Sequence, residues 1–353
     1  MRTPDEDDNG DRKRALKKIW GNEATLVVSG DVGHSEDEVP LPALVVGMAV
    51  LHRPAREPGA NAVRALNNVR GRDHPAGYLA GDRAYTSAKA EDYQLPTKAL
   101  GYRHVHDYKI TQLGVQAEAR GLIQVEGNWY CPSMPEKLIL ATKDFRTGTI
   151  DEATYRRRLE ARVPYRARPK GLPDADGYQQ FVCPASTGSP TARCPLKPKS
   201  VIFDGMTRVH IRPTQTLRDH QPDVCRQQTI MVSPEAGAKL SQTLVFGSPE
   251  HQRVYATLRN SIEGMNGYVK DGAREALGDP ARRRIRGVAA QSVLVVFQLM
   301  AANLRKINGY LTRRAKASLF QRPRPRRRRT KSIETWRPQA TNRMHGGPSP
   351  PEG

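Results

Sequence analysis

The chain has 353 residues, four cysteines, and 57 Lys plus Arg against 36 Asp plus Glu, for a formal net charge of +21. That length allows one large domain with an insertion or two ordinary ones, and the positive excess selects for a polyanionic partner. Four cysteines with no CxxC pair argue against a secreted disulfide scaffold; an acidic start and the lack of about 20 continuous apolar residues argue against a signal peptide or membrane span, so a cytoplasmic protein with reduced thiols is expected.

In chain order, residues 1–19 are polar, with Asp5-Glu6-Asp7-Asp8-Asn9-Gly10 near their start, and are expected to be disordered. Residues 23–28 read as a strand and residues 44–51 as a second, more buried one that pairs with it. Residues 60–70 have helical spacing, opened by Pro58-Gly59 and closed by Gly71-Arg72-Asp73-His74-Pro75. Tyr78-Leu79-Ala80-Gly81-Asp82 is a short strand ending on a carboxylate. A brief helix is expected near residues 87–92, and residues 104–108 form another extended run. Residues 20–110 thus read strand, strand, helix, strand, strand, the first part of an α/β core.

Residues 111–250 lose this rhythm. They are rich in Pro, Gly and Arg, with strand-like pieces such as Val201-Ile202-Phe203 and Val209-His210-Ile211, and read as an irregular, β-containing inserted module. Residues 251–309 form a helical second part of the core, the helical pattern running from about 249 to about 307 with a break at 270–280. Residues 310–353 form a basic tail expected to be disordered. Residues 311–353 hold twelve Lys/Arg and two Asp/Glu, a net of +10, which leaves 21 − 10 = +11 on the body. A protein basic in both parts fits one that follows a phosphate backbone.

The informative helix is YATLRNSIEGMNGYVK at 255–270. At about 100° per residue, Leu258, Ile262, Met265 and Val269 line a core-facing stripe. One residue further on, Arg259, Glu263, Asn266 and Lys270 form a polar stripe beside it. Glu263 has a plain alternative as half of a surface pair with Arg259 one turn away. Gly264 and Gly267 each cost roughly 1 kcal/mol against Ala in a helix, so they point to something that approaches this backbone closely. Asp82 has its own plain alternative, a turn or cap residue after a strand. Taken together, a strand-end Asp and a helical Glu suit hard divalent ions, which draw carboxylates from separate elements.

Cys131, Cys183, Cys194 and Cys225 are spaced 52, 11 and 31 residues apart, and three of them precede Pro. Structural zinc sites usually show a closely spaced pair, so reduced, partly buried thiols are the expectation, with zinc in the insertion as the alternative.

These residues resemble the DDE transposases of bacterial insertion sequences, whose core is like ribonuclease H. Gly81-Asp82-Arg83-Ala84-Tyr85 is similar to that family's motif around its second catalytic Asp. Arg259, Glu263 and Lys270 match its signature of Arg, three residues, Glu, six residues, Lys. Arg283-Arg284-Ile285-Arg286-Gly287 and the helix up to Asn303-Leu304-Arg305-Lys306 are similar to its closing helix. Further pieces, Asp107-Tyr108, Gly127-Asn128-Trp129-Tyr130-Cys131-Pro132 and Ala192-Arg193-Cys194-Pro195, also resemble transposase sequence. The family often has a Tyr three residues before the signature Arg; position 256 here is Ala, with Tyr255 beside it.

The resemblance implies a ribonuclease H-like mixed sheet flanked by helices, with Asp82 and Glu263 as catalytic, metal-holding carboxylates for two Mg²⁺ or Mn²⁺ ions. It implies Arg259, Asn266 and Lys270 as DNA contacts, double-stranded DNA (transposon ends and target) as partner, and a homodimer or larger synaptic complex at the nucleoid. The family's first Asp sits on the first of three strands before the core helix. Only two strands are expected here, so that Asp would be Asp31 or would lie upstream of Met1. A transposase-derived DNA-binding protein without catalysis is the alternative; a zinc-dependent RNA-binding protein is disfavoured by 6% aromatic content, which leaves few surfaces for stacking bases.

Overall fold

β-branched residues favour extended backbone where one face can be buried, and Val27, Val28, Val45 and Val46 sit in the first hairpin. In the computed structural model, which describes residues 21–319 apart from 34–37, 54–56, 83, 84, 86, 187–189, 203–208 and 283, β1 (Leu26–Val28) pairs antiparallel with β2 (Val45–Met48). The expected disorder of residues 1–19, and that of the tail from residue 320 on, lies outside the described residues.

Helix α1 (Pro58–Arg70), with Pro at its first turn, lies on this hairpin. A Cβ on Gly47 would stand 2.5 Å from Val69 Cγ2 and 3.2 Å from the Ala65 carbonyl, so only glycine allows this helix–strand approach. β3 (Tyr78–Leu79) is followed by a 3₁₀ turn at Ala90–Asp92, by α2 (Gln94–Ala99) and by β4 (Arg103–His104), which pairs parallel with β3. The brief helix expected near residues 87–92 thus falls mostly later, where Pro96 occupies the first turn in which proline is tolerated.

The segment expected as an inserted module begins with an antiparallel meander, β5 (Val115–Ala119), β6 (Leu122–Val125) and β7 (Asn128–Tyr130). Its two turns place Arg120-Gly121 and Glu126-Gly127 at positive φ, the backbone that two-residue hairpins need. α3 (Glu136–Ile139), α4 (Ala141–Arg146) and α5 (Glu152–Arg162) follow, the last capped by the Asp151 carboxylate accepting from Thr154 N at 2.9 Å.

β8 (Arg168–Pro169), β9 (Gln179–Val182) and β12 (Thr229–Val232) form a second sheet in the order β12-β9-β8. β10 (Ala192–Arg193) and β11 (Val209–His210) form a parallel pair. α6 (Pro198–Ile202), α7 (Gln215–Asp219) and α8 (Asp223–Arg226) lie between these strands. Val201 and Ile202, expected in a strand, belong to α6. Proline opens that helix, and the Ser200 hydroxyl returns to the Lys197 carbonyl at 2.7 Å.

Two long helices complete the chain. α9 (Pro249–Lys270) starts at Ser248, whose hydroxyl caps His251 N at 3.1 Å. α10 (Val288–Leu319) runs about three turns beyond the expected end near residue 307, so residues 310–319 are helical, a correction to the expected start of the disordered tail. By length and composition, Val288–Ser318 could cross a membrane, the one such helix among the described residues. It is packed on the core through Val295, Leu299 and Ala302, and the Asn303 amide both accepts from Val45 N (3.0 Å) and donates to Val45 O (2.8 Å). Those two bonds also cover the outer edge of β2.

The fold is therefore mixed α/β with several small sheets. Among the described residues β1–β2 and β3–β4 are separate hydrogen-bonded pairs. Three apolar clusters hold the molecule. One joins the first hairpin to α9 and α10; a second joins Tyr78 and Ala80 to Val105, Leu244, Val254 and Leu258; the third and largest lies within the module.

Candidate active site

The second cluster decides where the carboxylates lie. Tyr78 and Ala80 beside β3 pack against Val254, Leu258 and Tyr255 of α9, which carries the loop after the strand up to the helix's polar stripe. Gly81 fits tightly there, since a Cβ would lie 3.2 Å from Tyr93 Oη and 3.3 Å from Tyr85 Cβ. The Asp82 carbonyl accepts from Tyr85 N at 2.9 Å.

Arg259 bridges the two carboxylates. Its Nε lies 2.6 Å from Glu263 Oε1 and its Nη1 3.5 Å from Asp82 Oδ1. The side chains are solvated, Asp82 50% exposed, Glu263 57% and Arg259 37%. Partial burial disfavours the Arg259 charge, but Glu263 and Asp82 outweigh it and raise its pKa. The plain alternative for Glu263 is also visible, since it pairs with Arg259 one turn away. What that alternative does not require is the meeting of Asp82 and Glu263 at one guanidinium.

Asn266 is half-buried and Lys270 exposed at the C-terminal end of α9, where a cation is favoured by the helix dipole. Glu263 to Lys270 spans two turns, about 10 Å of helix. The core stripe has the expected members: Leu258, Met265 and Val269 are buried and Ile262 is partly so. Gly264 and Gly267 meet nothing within 4 Å, so no packed element accounts for them.

Asp31 does not join the pair. Its carboxylate accepts from Leu41 N at 2.9 Å and Gly33 N at 3.3 Å, clasping the loop between β1 and β2. Among the described residues no group of three or more His, Cys, Asp or Glu side chains is arranged to hold a metal. Asp82 and Glu263 are hard oxygen donors of the kind that Mg²⁺ takes, commonly one or two carboxylates completed by water.

One feature escaped sequence reasoning. A chain of rings runs beneath the site, Tyr85–Tyr93–His104–His106–Tyr108–Phe246–His251–Tyr255, with neighbouring centroids 4.8–6.1 Å apart. It begins three residues after Asp82 and ends four before Arg259. His251 Nε2 donates to the His106 carbonyl at 2.9 Å, and His104 Nε2 meets Thr97 Oγ1 at 2.7 Å. Burial, with Lys98 and His251 adding to it, pushes His106 down to about 4 against a smaller upward pull from the Ser241 carbonyl. Burial likewise lowers His104 and His251. The alternation His104-Val105-His106 was the available signal, but it resembles a half-exposed strand, whereas all three residues are buried.

Comparison with protein-family models, with curated proteins and with solved structures finds no match to this chain.

Proposed function

We propose that this chain is a DNA-binding protein of the DDE transposase type, with a ribonuclease H-like ancestry in its core and with Asp82 and Glu263 as its metal-facing carboxylates. The observation that carries the reading is the Arg259 bridge: a strand-end Asp and a helical Glu, far apart in sequence, meet at one guanidinium. The net charge of +21 supports double-stranded DNA as the partner.

Asp82 and Glu263 would hold one Mg²⁺ or Mn²⁺, which when bound supplies Lewis-acid stabilisation at a phosphoryl oxygen. Arg259 already accepts two anionic partners in its planar fork, and a DNA phosphate is a chemically equivalent partner for it. Lys270 adds a point charge two turns further along the helix, and Asn266 lies between them to orient the backbone. Gly264 and Gly267 leave the α9 surface without side chains beside these groups, which suits close approach of a duplex. Transposon-end cleavage and strand transfer are the reactions this site type performs, and assembly on paired ends would make the working form a homodimer or larger.

A second reading is favoured by the count of carboxylates: two, with no third acid among the described residues. A transposase-derived protein that binds DNA without cutting it would keep the basic surface and the Arg259 bridge. A gel shift run beside a nicking assay, with terminal-repeat DNA and Mg²⁺, separates the two. Retarded and nicked DNA supports the enzyme, with Glu263→Gln binding but not nicking; retarded, intact DNA supports the binding protein; no binding to any duplex removes both.

A further inference from the structure

All four cysteines of the chain are buried, and all four belong to the one apolar cluster at the centre of the inserted module. They arrive there on separate elements. Cys131 follows β7, Cys183 follows β9, Cys194 follows β10, and Cys225 lies in α8 just before β12. Cys183 N donates to the Gln228 carbonyl, which ties the second position to the segment of the fourth, and Thr191 N donates to the Pro184 carbonyl, which ties the second to the third.

Three of the four share a local design. Cys131-Pro132-Ser133, Cys183-Pro184-Ala185 and Cys194-Pro195-Leu196 are Cys-Pro-X turns in which the backbone N–H two residues on points at the sulfur. An N–H donor favours the thiolate over the thiol and has no purpose in a merely apolar cysteine. The Lys197 ammonium, whose Nζ donates to the Gln227 carbonyl at 2.7 Å, is a nearby cation for Cys183, Cys194 and Cys225. All four sulfurs lie within electrostatic reach of one another.

The strands around them are short. β8, β10 and β11 have two residues each, too few to hold their ends together by hydrogen bonds alone. A cross-link at the meeting point of β7, β9, β10 and α8 would do so.

We propose that Cys131, Cys183, Cys194 and Cys225 together bind one structural zinc ion in the core of the inserted module. The four cysteines share one buried cluster, but as they stand no three of them form a group that holds a metal ion. Binding would require the side chains to rotate until the sulfurs form a tetrahedron with Zn–S distances of about 2.3 Å. On binding, four S–H bonds break, four Zn–S bonds form and four protons leave to solvent, with no change of oxidation state. The product carries a net charge of 2 − 4 = −2, which the three N–H donors and Lys197 offset. The site is independent of the transposase reading, because none of its residues touches Asp82, Arg259 or Glu263.

The test uses the full chain purified without chelator. Zinc content is measured by inductively coupled plasma mass spectrometry, and the zinc-free chain is titrated with Co²⁺. The expected result is about one zinc per chain, released by a thiol-specific mercurial, and the strong visible d–d absorption of tetrahedral thiolate cobalt. Cys131→Ser and Cys194→Ser are each expected to lose most of the bound zinc; should they fail to fold, the wild-type cobalt titration decides. Under about a tenth of an equivalent of zinc, with no cobalt spectrum at one equivalent, overturns the site.

Discussion

The inserted module and the carboxylate site put their ionic groups to opposite uses. In the module, the Glu126–Arg162 pair is 2% and 3% exposed, doubly bonded, and further satisfied by Arg162 donating to the Leu138 and Ile139 carbonyls. At the site, Asp82, Arg259 and Glu263 are a third to more than half exposed and held by a bridge that water can replace. Buried charge of the first kind punishes removal of either partner; solvated charge of the second kind contributes little to folding and remains available to a ligand. The Glu126–Arg162 pair is therefore built into the fold, whereas the Asp82–Arg259–Glu263 group stays open to a ligand.

The comparison is broken most strongly by substitution. Arg162→Ala strands the Glu126 carboxylate in the module, and chemical denaturation should show a loss of about 3–5 kcal/mol. A loss below roughly 1 kcal/mol would mean that the pair is solvated after all.

Acid gives the next largest effect. The folded pKa of His106, at about 4, lies below its ordinary 6.5, and His104 and His251 shift the same way. The unfolded chain then binds more protons below pH 6.5. Stability is complete above that pH and falls as the pH drops from 6.5 towards 4, by roughly 3 kcal/mol for His106 alone. Denaturation midpoints measured across this range should decline, and His106→Leu should flatten the decline; a midpoint independent of pH would show that these rings are hydrated.

Arg259→Ala is expected to change stability by less than about 1 kcal/mol while weakening duplex binding, a split between folding and function that Arg162→Ala should not show. Loss of more than about 2 kcal/mol would make the Arg259 bridge structural. Smallest for the fold, and read only in salt, is the basic terminus. Ending the chain at residue 319 removes nine Lys/Arg and two Asp/Glu, a net of +7, and should flatten the dependence of DNA affinity on salt. An unchanged slope would place the duplex entirely on the body.

Much of the core could be read in the sequence because its signals are periodic. The 3.6-residue stripe of α9 placed Leu258, Ile262, Met265 and Val269 on the core face, of which Ile262 is only partly buried, and Glu263 on the polar stripe beside it; the Pro58-Gly59 and Gly71 signals framed α1 to within two residues. The pairing of β1 with β2 followed from their β-branched runs. The module resisted because its strands of two to five residues are too short for a period to register, and Val201-Ile202, apolar and β-branched, went to a helix fixed by Pro198 and Ser200. Asp82 and Glu263 were found as residue types on suitable elements; that Arg259 would stand between them depends on Tyr78 and Ala80 packing on α9, a contact no local pattern encodes. The cysteines show the same limit. Their wide spacing hid a convergence that only the ends of four elements reveal.

The pairing of Asp82 with Glu263 is tested most directly by Mn²⁺ binding followed by electron paramagnetic resonance, in the wild type, in Asp82→Asn, in Glu263→Gln and in a remote surface control, Glu152→Gln. One bound ion in the wild type and in the control, lost in both site variants with their folding unchanged, is the result this account predicts. Equal Mn²⁺ binding by all four proteins would contradict it and leave the Arg259 bridge as a surface ion pair.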